Sequence, residues 1–318
     1  MSPITTTISS SAISLVLDAL ESRSTATVRS LSEATGLGQS TVTRAVAVCV
    51  SHGILQYRVG VDPASGRPCR ILFPAKGLLL PALTLTRGYG SVRVLDMGLS
   101  PMGTAVTALH PASPPEEAAR LLCRRCVTIL RGCHGDLTVT SPILLAGEGF
   151  SPAALREAAA DILGVPPLAV VGHGEAVARA MSAPPFPSDV SSLLFLSVGQ
   201  DAHACLLLRD GTGRWSPAPL GEPLTATLHR SLRGAEPSAE GIRRGVAVFL
   251  TELCRFLRPD LLYMEDPRGV LPDKGVFASL LPDGVEVAVR RVEEGLTAAE
   301  EGAALAGRRM LWEKILFG

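Results

Sequence analysis

Apolar residues recur at two spacings along this chain, and the change from one to the other divides it. Val42, Ala45, Val46 and Cys49 stand at helical spacing, so one stripe of a helix faces a core. Just upstream, Val28 to Leu37 reads as a shorter helix stopped at Gly36. Beyond Gly53, where the second helix ends, two strand-like runs (Ile54 to Val59 and Cys69 to Phe73) are joined by Asp62-Pro63-Ala64-Ser65-Gly66-Arg67-Pro68, a turn-rich connection. From about Leu78 onward the pattern changes. Strand-like runs at 80–86, 91–97, 136–139, 168–171, 193–198, 204–209, 261–264 and 285–289 alternate with helical segments at 115–131, 152–163, 175–182, 238–256 and 297–317. That alternation predicts an α/β domain. The expected division is a small head over residues 1–76 and a body over residues 77–318, linked at Pro74-Ala75-Lys76-Gly77.

Composition sharpens this division. Hydrophobic residues make up 47% of the 318 positions, enough to build packed cores. The formal net charge is zero, yet residues 1–76 hold seven basic side chains against four acidic ones. A mildly basic head on a mildly acidic body fits a nucleic-acid partner for the head. No apolar run reaches membrane-spanning length, and the Thr/Ser-rich start lacks the basic-then-apolar order of a secretion signal. Seven cysteines without framework spacing predict reduced thiols and a cytoplasmic protein.

The head carries the informative chemistry. With the apolar stripe turned inward, Gln39, Ser40, Thr41, Thr43 and Arg44 occupy the outer face and N-terminal end of the second helix, with Ser40 expected as its N-cap. Small donors and acceptors plus one arginine are what a helix needs to meet base edges and phosphates in a major groove. Arg67, on the turn between the two strands, is positioned for a minor groove or a flanking phosphate. Two helices and a hairpin also build protein-interaction modules, so a dimerisation scaffold that does not bind DNA is the plain alternative.

Ser40-Thr41-Val42-Thr43-Arg44, Gly53-Ile54-Leu55 and Gly66-Arg67-Pro68 resemble the repressor–open reading frame–kinase (ROK) family. The resemblance implies a winged helix-turn-helix followed by an actin-like ATPase domain of two α/β lobes, related to sugar kinases. It also implies a cytoplasmic homodimer that binds double-stranded DNA, with a sugar or sugar phosphate as effector. The body matches in order: the Arg87-Gly88-Tyr89-Gly90 hairpin, the strand leading to Gly172, Leu193 to Val198 with Gly199, Gly221-Glu222, and a last helix containing Ala298-Ala299-Glu300-Glu301-Gly302.

The departures point away from catalysis. The family's acidic phosphate turn is Thr86-Arg87-Gly88-Tyr89-Gly90 here, without the acid. Its Asn-Asp-Ala-Asn catalytic loop is Gly172-His173-Gly174-Glu175, and its second glycine loop is Gly199-Gln200-Asp201-Ala202-His203. Thr225 stands where a zinc-binding histidine is expected, with no cysteine cluster after it. Phosphoryl transfer depends on positioning and charge neutralisation, so these losses predict a regulator, in all expectation a repressor, with no enzymatic activity, cofactor or metal. A divergent sugar kinase with an attached head is the rival reading. His173, Glu175 and Glu222 remain as candidate effector contacts. Cys123-x-x-Cys126 with Cys133-His134 has zinc-like spacing, but on a helix it reads as core thiols. Arg243-Arg244 and Arg308-Arg309 read as solvated helix faces.

Overall fold

The computed structural model describes residues 9–21, 25–61, 66–75, 77–85, 89–110, 113–133, 138–139, 143–146, 152–181, 189–198, 202–211, 214–218, 245–247, 250, 253–254, 257–266, 286–291 and 297–317. The head begins with three helices: α1 (Ser10–Glu21), α2 (Val28–Thr35) and α3 (Gln39–Ser51). An antiparallel ribbon follows, β1 (Leu55–Val61) with β2 (Pro68–Pro74). Ile13, Val16, Leu17 and Leu20 of α1, Leu31 of α2, and Val42, Ala45, Val46 and Cys49 of α3 close one core with Leu55 and Leu72 of the ribbon. The stripe on α3 is therefore buried as its spacing predicts. Helix α1 is an addition to the two helices read from the sequence.

The body contains two sheets of matching design. The first has the order β5-β4-β3-β7-β8, built from β3 (Leu78–Leu85), β4 (Tyr89–Asp96), β5 (Pro101–Ala108), β7 (Ile143–Ala146) and β8 (Ala169–Gly172), with the short β6 (Thr138–Val139) also beside β3. The second has the order β11-β10-β9-β12-β13, from β9 (Ser192–Val198), β10 (Ala202–Arg209), β11 (Trp215–Ala218), β12 (Leu261–Asp266) and β13 (Glu286–Arg291). In each sheet, three strands run antiparallel as a meander and two more join the first in parallel. The repeat is one of topology, built from long-range pairings that no short sequence window contains.

Strand β3 is buried along nearly its whole length because helices cover both faces of its sheet. On one face lie α4 (Pro115–Gly132) and α5 (Pro152–Leu163), packed on Leu83, Leu85 and Val92. On the other lie α6 (His173–Met181) and the last helix, α7 (Ala298–Phe317), packed on Leu80, Ala82 and Ile143. The crossing of α6 and α7 is very close: a Cβ added at Gly302 would fall on the Ala176 carbonyl. Helix α4 starts after Pro114 without a side-chain cap.

Candidate nucleic-acid interface

Local chemistry sets the two helices of the head. Thr27 and Ser30 form a reciprocal capping box at the start of α2, with 3.1 Å from the Ser30 amide to the Thr27 hydroxyl and 2.9 Å from the Thr27 amide to the Ser30 hydroxyl. Gly36, at φ 69°, ends α2 in the left-handed conformation. Helix α3 starts from Gly38, whose carbonyl accepts the amides of Thr41 (2.9 Å) and Val42 (3.1 Å). Ser40 is therefore the second residue of the helix and not its cap. The chain turns inward two residues earlier than the serine signal implies, and no side chain caps this end.

The C-terminal end of α3 is a Schellman motif. The Gly53 amide donates to Val50 and the Ile54 amide to Cys49, with Gly53 at φ 70°. Ile54 follows directly into the head core. These contacts fix how far α3 rolls about its axis, and so which side chains face outward.

Gln39, Ser40, Thr43 and Arg44 are exposed, and Thr41 is half-buried. The Thr43 hydroxyl donates back to the Gln39 carbonyl at 2.8 Å. Among the described residues, the side chains of Gln39, Ser40 and Arg44 make no hydrogen bond or ion pair. The candidate contact residues of α3 therefore share one open surface, next to an uncapped helix N-terminus whose free amides favour a phosphate.

The ribbon extends that surface. Arg67 is exposed and follows Gly66, which takes φ 66°. Arg58 and Arg70 are also exposed, and Arg70 lies over the Tyr57 ring at 4.6 Å from its centroid. Sequence reasoning passed over Arg58 and Arg70. Strand alternation points Arg58 away from the core face, and Arg70, on that face, is open because the distal end of the ribbon runs beyond the core.

Helix α7 joins this head to the body. Trp312 is wholly buried in the head core, with Ile315 and Leu316 packed beside it. Arg309 pairs with Asp18 of α1 at 3.2 Å, donates to the Ser14 carbonyl at 3.2 Å and binds Glu313 at 2.9 Å. Arg308 donates to the Met97 carbonyl of the body at 2.9 Å, and its guanidinium lies 4.9 Å from the centre of the Trp312 ring. Both arginines are buried, which corrects the expectation of a solvated face: this turn of the helix is enclosed between head and body, where Arg309 meets the Ser14 carbonyl and Asp18 of the head and Arg308 the Met97 carbonyl of the body. Arg243 and Arg244 lie outside the described residues.

The start of α7 is tied as firmly. Glu300 is buried and accepts from Ser91 (2.6 Å), Arg93 (3.0 Å) and the Thr297 amide (3.1 Å). Buried Glu265 of β12 accepts from the Ala298 amide at 2.7 Å. Two sheets and one helix end are joined by these two carboxylates.

The candidate effector residues are less well gathered. His173 and Glu175 begin α6 directly, so the loop expected at Gly172-His173-Gly174-Glu175 is a strand end running into a helix. His173 is half-buried, its ring 6.5 Å from that of Phe195, while Glu175 is exposed. Glu222 and Thr225, like residues 86–88 and 199–201 of the two glycine turns, lie outside the described residues. Cys123 and Cys126 are buried in the core against α5, and burial pushes their thiols up to about 11 and about 12. Such thiols pack as small apolar groups. Among the described residues, no group of three or more metal-ligating side chains gathers, and no helix is long and apolar enough to cross a membrane.

No protein-family model matches this chain, and no curated protein matches it. Solved structures do. A ROK family transcriptional regulator described as a homologue of E. coli Mlc aligns with a TM-score of 0.58 at 13% identity, covering 96% of each chain. A polyphosphate/ATP-glucomannokinase from Arthrobacter aligns at 0.48 and 11% identity over 72% of this chain and 98% of its own. A ROK family glucokinase from Streptomyces griseus aligns at 0.43 and 14% identity over 72% of this chain and 99% of its own. Over nearly its whole length, then, this chain shares the fold of that solved ROK family transcriptional regulator.

Proposed function

We propose that this protein is a DNA-binding transcription regulator of the ROK type, acting as a repressor, whose body has lost kinase chemistry. One observation carries the reading: Gln39, Ser40, Thr43 and Arg44 form an open face, with the side chains of Gln39, Ser40 and Arg44 unpartnered among the described residues, on a helix whose opposite face is locked into a core. Helix α3 enters a major groove with Arg44 and the N-terminal polar residues toward base edges, and Arg67 reaches the flanking minor groove or phosphate. The head of residues 1–76 does this work. The body of residues 77–318 pairs two copies as a homodimer and sets the distance between two half-sites on double-stranded DNA.

A sugar or sugar-phosphate effector in the body, near His173, Glu175 and Glu222, shifts the balance between two arrangements of the heads. Helix α7 is the natural route for that shift, because it packs on α6, which begins with His173, and ends in the head core. Loss of catalysis is supported by the sequence at three segments that would handle nucleotide and sugar: the acid-free Thr86-Arg87-Gly88, Gly172-His173-Gly174-Glu175 and Gly199-Gln200-Asp201.

Two measurements test the reading. The Arg44→Ala, Arg67→Ala double variant, folded as wild type, should bind duplex DNA roughly 30-fold to 25,000-fold more weakly, since each arginine contact contributes about 1–3 kcal/mol. Unchanged affinity defeats the docking. Steady ATP-dependent phosphorylation of any member of a hexose panel would show instead that the body is an enzyme.

A further inference from the structure

The outer half of the β1–β2 ribbon is apolar where a water-facing hairpin should be polar. Val59 is 78% exposed, Val61 58% and Tyr57 46%, and Val59 is the most exposed large apolar residue among those described. The strand register sets these three on one face. Leu55 pairs with Pro74, Tyr57 with Leu72, Val59 with Arg70 and Val61 with Pro68, and paired residues point to the same side of an antiparallel ribbon. Leu55 and Leu72 are buried against Val42, Val46 and Cys49 of α3. The apolar stripe Tyr57–Val59–Val61, with Pro68, is thus the continuation of the core face beyond the core, on the side where α3 lies.

Its surroundings say what it meets. The described ribbon residues, 55–61 and 66–74, carry Arg58, Arg67 and Arg70 and no carboxylate; Asp62 is the acid of the connection between them. Arg70, paired with Val59, shares the stripe's face, Arg67 stands at the entry to β2, and Arg58, paired with Ile71, lies on the opposite face; an apolar stripe beside such cations suits a partner with an anionic border and an apolar floor. A DNA minor groove is such a surface, with phosphates along its rims and sugar and base edges within. A second copy of this ribbon would instead bring three arginines against three.

We infer that the wing is a minor-groove wedge: Val59 and Val61 press between the walls of the groove flanking the one that α3 occupies, Arg67 and Arg70 hold the phosphates beside them, and Arg58, on the other face of the ribbon, adds to the positive field. The inference rests on the regulator reading above and adds to it two specificity residues that act through shape. Apolar side chains between base steps unstack them and favour easily kinked sequences, so the flank is read by deformability and not by hydrogen bonds. The ribbon is stiff enough for this: Arg70 braces Tyr57, and the Ile71 side chain fills the space over Gly60.

The test uses the full chain and 30-base-pair duplexes enriched by it from a random pool, with 2-aminopurine placed at single steps of the flank. Val59→Thr with Val61→Thr keeps the β-branched shape and removes apolar contact, and because both sites are exposed the thermal midpoint should not move. Wild type should raise 2-aminopurine fluorescence at one flanking step. The double variant should lose that rise and bind about tenfold more weakly, with the same salt dependence as wild type. Arg67→Ala should do the reverse, keeping the rise and flattening the salt dependence. If wild type binds its duplexes but no flanking step unstacks and the valine variant binds equally well, the wedge is wrong while the regulator reading stands. A valine variant that changes the sedimenting mass of the protein but not its DNA affinity makes the stripe an interface between copies and equally overturns the wedge. Failure of wild type to enrich any duplex removes both.

Discussion

Head and body handle their polar side chains in opposite ways. On α3, Gln39, Ser40 and Arg44 stand in the open with no partner among the described residues, and Arg58 and Arg67 do the same on the ribbon. In the body, the strand leaving the first glycine turn carries Ser91 and Arg93, and both are spent on Glu300, a buried acid of α7. Glu265 is spent on the same helix end. A surface that must meet another molecule keeps its hydrogen-bonding capacity unused. The body turns that capacity inward, where each unpaired group would cost about 1–3 kcal/mol. The difference is the one that the proposed function predicts, with recognition in the head and support in the body.

The contrast can be broken most forcefully at the joint. Trp312→Ala should destabilise the chain by about 3–5 kcal/mol, read by denaturant titration, because it empties the head core from the body's side. If stability barely changes, α7 does not tie the two parts together. Next in size, Glu300→Ala leaves Arg93 facing a buried gap and should cost about 3 kcal/mol, whereas Arg44→Ala should leave the thermal midpoint nearly where it was, within about 0.5 kcal/mol. Equal losses at both positions would erase the contrast between them.

A smaller effect is expected from Thr27→Ala, which removes one side of the α2 capping box and should cost about 1 kcal/mol. Native-state alkylation at pH 8 gives a finer comparison. Cys69 and Cys133 should react well before Cys49, Cys123, Cys126, Cys205 and Cys254, whose thiols are buried and pushed up to about 11 or 12. Rapid labelling of Cys126 would mean that the α4–α5 layer opens.

Smallest is a pH effect at the β9–β12 junction. Asp260 accepts the amides and hydroxyls of Ser191 and Ser192, which hold its carboxyl down at about 2. Its folded pKa lies below its unfolded value of 3.8, so its stabilisation is complete above that value and is lost as pH falls through about 2. Wild type should exceed Asp260→Asn in stability at pH 6, and the gap should close below pH 2.

Much of the head was legible in the sequence because its signals are local. The Val42–Ala45–Val46–Cys49 stripe, the stops at Gly36 and Gly53 and the turn before Arg67 each lie within a few residues of what they control. The misplaced cap at Ser40 shows the limit: a serine two residues from the right place looks like a cap until the backbone decides where the helix starts. In the body, β5 and β11 were not legible. Strand β5 opens with a proline and carries Gly103, and β11 contains Pro217; both are edge strands, where such residues are tolerated. Arg308 and Arg309 looked like surface charges because their partners, Met97, Asp18 and Ser14, are more than two hundred residues away in sequence. The placement of Glu222 lies outside the described residues.

One titration bears most directly on the central claim. The full chain is added to its enriched 30-base-pair duplex at 50 mM and at 200 mM salt. Binding should be firm at the lower concentration and fall steeply at the higher, by roughly tenfold to a thousandfold if two to five phosphates are neutralised by the head's cations. Absence of binding at 50 mM, or an affinity indifferent to salt, would contradict the assignment of α3 and its ribbon as a DNA-reading surface.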